Sequence, residues 1–165
     1  MKQPRLQFEH PAQAAASAFL RAVLAGESLA VWAALSRETR GILQGLYAAH
    51  AGVSLRTASG IELDGTDERL GSVLAPLRAS VLTALGEERI GGYGVSNARL
   101  VDRQTAYVLL LPDFGEERVV SEDEWKPSHL LAFIHESHEW VVDLAKTAEL
   151  SADAELPDPL GQIRR

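Results

Sequence analysis

The chain has no cysteine among its 165 residues. Disulfides, thiolate nucleophiles and Cys-built zinc sites are therefore excluded. A cysteine-free chain fits a reducing compartment, and a cytoplasmic location is the expectation. Long apolar runs are missing too. Lys2 and Arg5 are followed by Glu9, His10 and Pro11, and the next stretch, AAASAFLRAVLA, contains Arg21 at helical periodicity. It reads as neither a signal peptide nor a membrane span, so no membrane association is expected. Positive charge is in deficit. The net charge is −7 and the pI about 5.2, which repels phosphate backbones and argues against a nucleic-acid partner. There is no Gly-x-Gly-x-x-Gly, phosphate loop or Gly-x-Ser-x-Gly elbow, and GGYG at 91–94 reads as an entry into a sheet. No cofactor is expected.

What remains is an ordinary globular composition, 46% apolar and 24% charged. A single domain of this size buries roughly 70% of its unfolded surface and needs no staples. Residues 1–10 read as a lead-in. Pro11 suits a first helical turn, and Ala12, Ala15, Ala16, Phe19, Leu20, Val23 and Leu24 form one apolar stripe. Gly26 stops that helix, and Ser28 can cap a short second one, LAVWAALS. Ser36 can cap a third, with Ile42, Leu43, Leu46 and Tyr47 as its stripe and Gly52 at its end. Residues 53–63 carry β-branched residues around Ser59-Gly60 and suggest an extended segment or small hairpin. Asp64 or Thr66 can cap a helix with the stripe Leu70, Val73, Leu74, Leu77, Val81 and Leu85. Pro76 predicts a kink or break in it.

From Gly91 the period changes. GYGVSNARLVDRQTAYVLLLPDF reads as two strands with a tight turn at 102–104, and Arg118–Ser121 offers a short edge strand. HLLAFIHESHEWVVDLA is the strongest hairpin signal. The final SADAELPDPLGQIRR has two prolines and no periodicity, so 148–165 is expected to be a mobile tail. Helices first and antiparallel strands after define an α+β domain over 11–147.

Three stretches resemble the nuclear transport factor two-like superfamily, also called the cystatin-like half-barrel. They are AAASAFLRAVLAGESLAVWAALS with Trp32, VDRQTAYVLLL, and LAFIHESHEWVVDLA with Trp140. The resemblance implies N-terminal helices packed on a curved C-terminal antiparallel sheet, a cone-shaped half-barrel with a pocket. It also implies a homodimer paired through the sheet. Members include ketosteroid isomerases and polyketide cyclases, and also non-catalytic binding modules. Fold alone does not choose among them. The segment 53–90 is larger than the simplest members carry.

The candidate site residues are few. His135-Glu136-Ser137-His138 places its second histidine one position short of a helical zinc-protease motif, in a hairpin, so no metal site is expected and a solvated tip is the simpler reading. Trp32 and Trp140 are core residues or pocket walls. Tyr47 and His50 share a helix face and could line a pocket together. Asp143, in WVVDLA, is the one candidate catalytic residue. Pointing into an apolar cavity it would be a general base, and on the other face it would be solvated. Glu116, Glu117, Glu122, Asp123 and Glu124 lack calcium-loop spacing and read as a solvated loop. The favoured function is a non-enzymatic domain that binds a small apolar ligand or a protein partner. The alternatives are an isomerase-, dehydratase- or hydrolase-type enzyme using Asp143 with Tyr47 or His50, and an acidic immunity or adaptor protein.

Overall fold

The computed structural model describes residues 10–64, 67–112 and 126–164. Helices precede an antiparallel sheet curled into a half-barrel, so the fold is α+β. The elements are α1 (Pro11–Ala25), α2 (Ser28–Ala33), α3 (Arg37–Ala51), α4 (Leu55–Asp64), α5 (Asp67–Leu85), β1 (Gly94–Val95), β2 (Arg99–Leu100), β3 (Thr105–Leu111), β4 (His129–Glu136), β5 (Glu139–Val142) and α6 (Leu144–Asp153). Single 3₁₀ turns lie at Ile90–Gly92 and Gly161–Arg164. The expected edge strand at 118–121, the acidic cluster at 116–124 and Thr66 lie outside the described residues. No helix among the described residues is long and apolar enough to cross a membrane.

Local chemistry sets most helix ends. His10 caps α1: Ala12 N–H donates to His10 Nδ1 at 3.1 Å, and His10 N–H donates to Gln13 Oε1 at 3.0 Å. Gly26 ends α1 at φ 70°, a left-handed turn that glycine adopts freely. Ser36 caps α3 through Thr39 N–H, and Gly52 closes it at φ 69°.

The sheet runs β1-β3-β4-β5, with β2 also paired to β3, and every pairing is antiparallel. One face, carrying Ala106, Val108, Leu110, Leu131, Phe133 and Val142, packs on Phe19 and Val23 of α1 and the α5 stripe. Gln13, buried on α1, fixes the helix to the β1–β2 link by donating to Ser96 O and Asn97 Oδ1, each at 3.2 Å.

Three stretches depart from the sequence expectation. Residues 55–64 are helical, not extended, because Ser54 supplies an N-terminal cap: Thr57 N–H donates to its Oγ at 3.1 Å and Ala58 N–H to its carbonyl at 3.0 Å. The cap outweighs the weak extended preference of the β-branched residues. Second, α5 continues through Pro76 as one helix. Pro76 is exposed, so the carbonyl it frees can face water, while Leu70, Val73 and Leu74 before it and Leu77, Val81 and Leu85 after it are buried along one face.

The third departure is the C-terminal segment. In place of a mobile tail over 148–165, the chain continues α6 from 144 to 153 and then folds back onto α5. Leu160 is fully buried and Ile163 nearly so. The buried Ser80 hydroxyl on α5 donates to Pro159 O at 2.8 Å and accepts from Gln162 N–H at 3.3 Å. Two apolar residues three apart suffice to dock this segment, which is too short to show periodicity.

Candidate functional site

Small side chains create a groove between α1, α2 and β5. Ala15, Ala18 and Ala22 recur along one face of α1, flanked by Pro11 and Phe19. Ala30, Ala33 and Ala34 face them from α2 and its end. Methyl groups in these positions keep the two helices from filling the space beside β5. The resulting groove has a volume of about 520 Å³, within the range that holds small organic ligands. Trp140 and Val141 form its strand side, and His135, His138 and Glu139 also line it.

Two histidine rings pack against Trp140. The His10 ring lies 4.9 Å away edge-on at 65°, and the His135 ring lies 5.1 Å away at 47°. His135 is the cross-strand partner of Trp140, and His10 comes from the α1 cap. The indole is thus half-buried and fixed in orientation where it meets the groove. Such offset and edge-on ring pairs contribute roughly 0.5–1.5 kcal/mol each beyond the area they bury.

The hairpin tip is Ser137-His138, with φ of 47° and 69°. Successive positive φ values are the type I′ geometry that a two-residue hairpin needs, and Asn-Gly meets it with least strain. Here Ser and His adopt it. Arg37 braces the tip: its N–H donates to Glu136 Oε2 at 3.2 Å, and its Nη2 donates to Ser137 Oγ at 3.3 Å. His138, at the strained position, faces the groove.

Asp143 is buried, 2% exposed, and lies away from the groove. The strand ends at Val142, and Asp143 is the N-cap of α6 rather than a strand residue facing either side. Its Oδ1 accepts from Lys146 N–H at 2.8 Å and its Oδ2 from the Ser36 hydroxyl at 2.7 Å. Ser36 Oγ lies 2.8 Å from Thr39 Oγ1 and accepts from Thr39 N–H at 3.1 Å. Ser36 has one hydroxyl hydrogen. With that hydrogen on the carboxylate, the Thr39 hydroxyl donates to Ser36, and Thr39 Oγ1 accepts from Leu144 N–H at 2.9 Å. The result is a closed chain, Leu144 to Thr39 to Ser36 to Asp143, joining the N-termini of α3 and α6. Both carboxylate oxygens are engaged.

The other sequence candidates are dispersed. Tyr47 is half-buried against the core, and His50 is exposed in the last turn of α3. His50 lies fourteen positions along α3 from its cap Ser36, which at 1.5 Å per residue is roughly 20 Å. Since Asp143 contacts Ser36, it shares no reaction site with His50. Trp32 is buried in the core, its carbonyl accepts from Arg40 Nε at 3.0 Å, and the Arg40 guanidinium sits 5.5 Å over its ring. The buried Trp32 indole N–H has no hydrogen-bond partner among the described residues. Of the five candidates, Trp140 alone lines the groove. Sequence alone did not identify His10 as its ring partner or the six alanines as its walls. Their signal was the recurrence of Ala at helical spacing on two consecutive helices. Among the described residues, no group of three or more His, Asp or Glu side chains could hold a metal ion.

No family model matches this chain, and no curated protein or solved structure matches it.

Proposed function

We propose that the chain is a non-enzymatic binding domain whose groove between α1, α2 and β5 holds a small apolar ligand. The observation that carries this reading is the lining, with six alanines, Pro11, Phe19 and Val141 around the oriented face of Trp140. The engagement of both Asp143 oxygens in helix capping weighs against a general-base enzyme. Helices before a half-barrel sheet support a nuclear transport factor two-like ancestry, and a cysteine-free chain suits the cytoplasm.

The test is titration with the apolar dye anilinonaphthalene sulfonate, followed by dye emission and tryptophan quenching. Ala18→Leu and Ala33→Leu fill the groove from exposed helix positions, so both variants should keep the wild-type circular dichroism. Each should weaken the dye about tenfold or more, the scale of a lost apolar contact of roughly 1.5 kcal/mol. Equal dye affinity in wild type and filled variants would show that the groove is not the site.

A homodimer through the sheet is the second reading. It is supported by the half-buried Tyr107, Leu109 and Ile134, on the opposite face from Val108 and Phe133. Light scattering that gives a monomer of 17.9 kDa at high concentration would end it.

A further inference from the structure

The backbone of β5 leaves one stretch of sheet edge open, and that stretch borders the groove. β5 is the last strand in the sheet order. Along an antiparallel pair, alternate residues turn their N–H and C=O toward opposite neighbours. Val142 turns both away from β4: its N–H donates to Ala34 O at 2.7 Å, and its C=O accepts from Ser36 N–H at 2.9 Å. Trp140, two residues earlier on the same strand, shares that direction. The β4 side agrees independently. His135 is the partner of Trp140 in register, and its N–H donates to Gln104 O, on the β3 side, at 2.8 Å. Trp140 and His135 are therefore not hydrogen-bonded to each other, and the Trp140 N–H and C=O point off the sheet.

Beside Val142, that edge is covered by Leu35 through a parallel bridge. Going back along the chain from Leu35, the backbone winds into α2 and leaves the strand. The space beside Trp140 is the groove itself, with Ala30, Ala33 and Ala34 across it. An open edge with an adjacent pocket is the arrangement that binds extended chains, with backbone pairing for affinity and the pocket for selection. Charge adds a second criterion. Glu139 is an exposed carboxylate on the lining, in a chain of net charge −7, so a basic occupant is complementary.

We infer that the groove receives an extended apolar peptide segment, paired with the sheet edge at Trp140 and carrying a basic residue toward Glu139. The inference rests on the groove reading and names the ligand class. The Trp140 N–H donates to a peptide carbonyl, and a peptide N–H donates to the Trp140 carbonyl. One apolar side chain of the segment enters the alanine-walled space.

The experiment uses the full chain, isotope-labelled for amide spectroscopy. The probes are four peptides, acetyl-Ala-Xaa-Ala-Lys-amide with Xaa as Val, Leu, Ile or Phe, and the derivatives N-methylated at single positions. At saturation, hydrogen exchange at the Trp140 amide should slow about tenfold or more. N-methylation at the paired residue should weaken binding about fivefold to tenfold, the scale of one hydrogen bond. Exchanging the peptide lysine for glutamate should weaken binding in the wild type and have little effect in Glu139→Gln. If the dye binds the groove and no peptide does, the peptide assignment is wrong while the groove reading stands. The peptide assignment fails equally if every N-methylated derivative binds as tightly as its parent. If neither dye nor peptide binds, both readings fall.

Discussion

Replacing Asp143 with alanine should cost about 3 kcal/mol of folding stability. Loss of an N-cap costs about 1 kcal/mol. Loss of a hydrogen bond to a charged acceptor costs roughly 1.5–3 kcal/mol, and here it leaves the buried Ser36 hydroxyl without its carboxylate. Asp143→Asn should cost less, about 1.5 kcal/mol. The amide oxygen can still accept from Lys146 N–H, but its NH₂ meets a Ser36 oxygen that already accepts from Thr39. Ser36→Ala removes the other half of the joint, so the double variant should be less destabilised than the two single losses combined. The coupling should be about 1–2 kcal/mol. Urea unfolding followed by circular dichroism measures all four corners of the cycle, and an unchanged denaturant slope licenses the comparison. Dye affinity should stay at the wild-type value in each folded variant. A loss below about 1 kcal/mol in Asp143→Ala, or no coupling to Ser36, refutes a joint of that strength between α3 and α6.

Other outcomes follow from other parts of the fold. Leu160→Ala should cost roughly 2–5 kcal/mol, as a fully buried leucine does; a variant as stable as wild type in urea would mean that the C-terminal segment is not docked. Changing Ser137-His138 to Asn-Gly should relieve the two positive φ angles and add about 1 kcal/mol, or roughly 2–4 °C in Tm, by calorimetry. Burial holds the His129 pKa below its ordinary 6.5, so the unfolded state binds more protons just below that pH. His129 therefore imposes no penalty above pH 6.5, and stability falls as pH drops through 6.5 toward the folded value. His129→Gln should flatten that acid-side slope in urea titrations.

The sequence disclosed those parts of the fold whose ends carry their own chemistry. Pro11, Gly26, Ser36 and Gly52 bound α1 and α3 as anticipated, and the hairpin turns at Ser137-His138. What it concealed was set by single capping atoms or by small contacts. Ser54 turns a β-branched stretch into α4. Asp143 ends a strand that the alternation of WVVDLA would continue. Trp140 could be singled out because a large ring is conspicuous. The groove beside it could not, because it consists of volume that alanines do not occupy, and a missing methylene has no pattern until two helices are placed side by side.

The joint of Ser36 with Asp143 spans 107 positions of the chain, and the Leu35–Val142 bridge lies beside it. Among the described residues, the backbone partner of the corner between α2 and α3 is Val142, which is not available until β5 has been made. A ribosome-bound chain that stops before β4 can form its helices but cannot lock them at that corner. Such early fragments should be protease-sensitive, with resistance arriving in one step once β5 and the start of α6 have emerged.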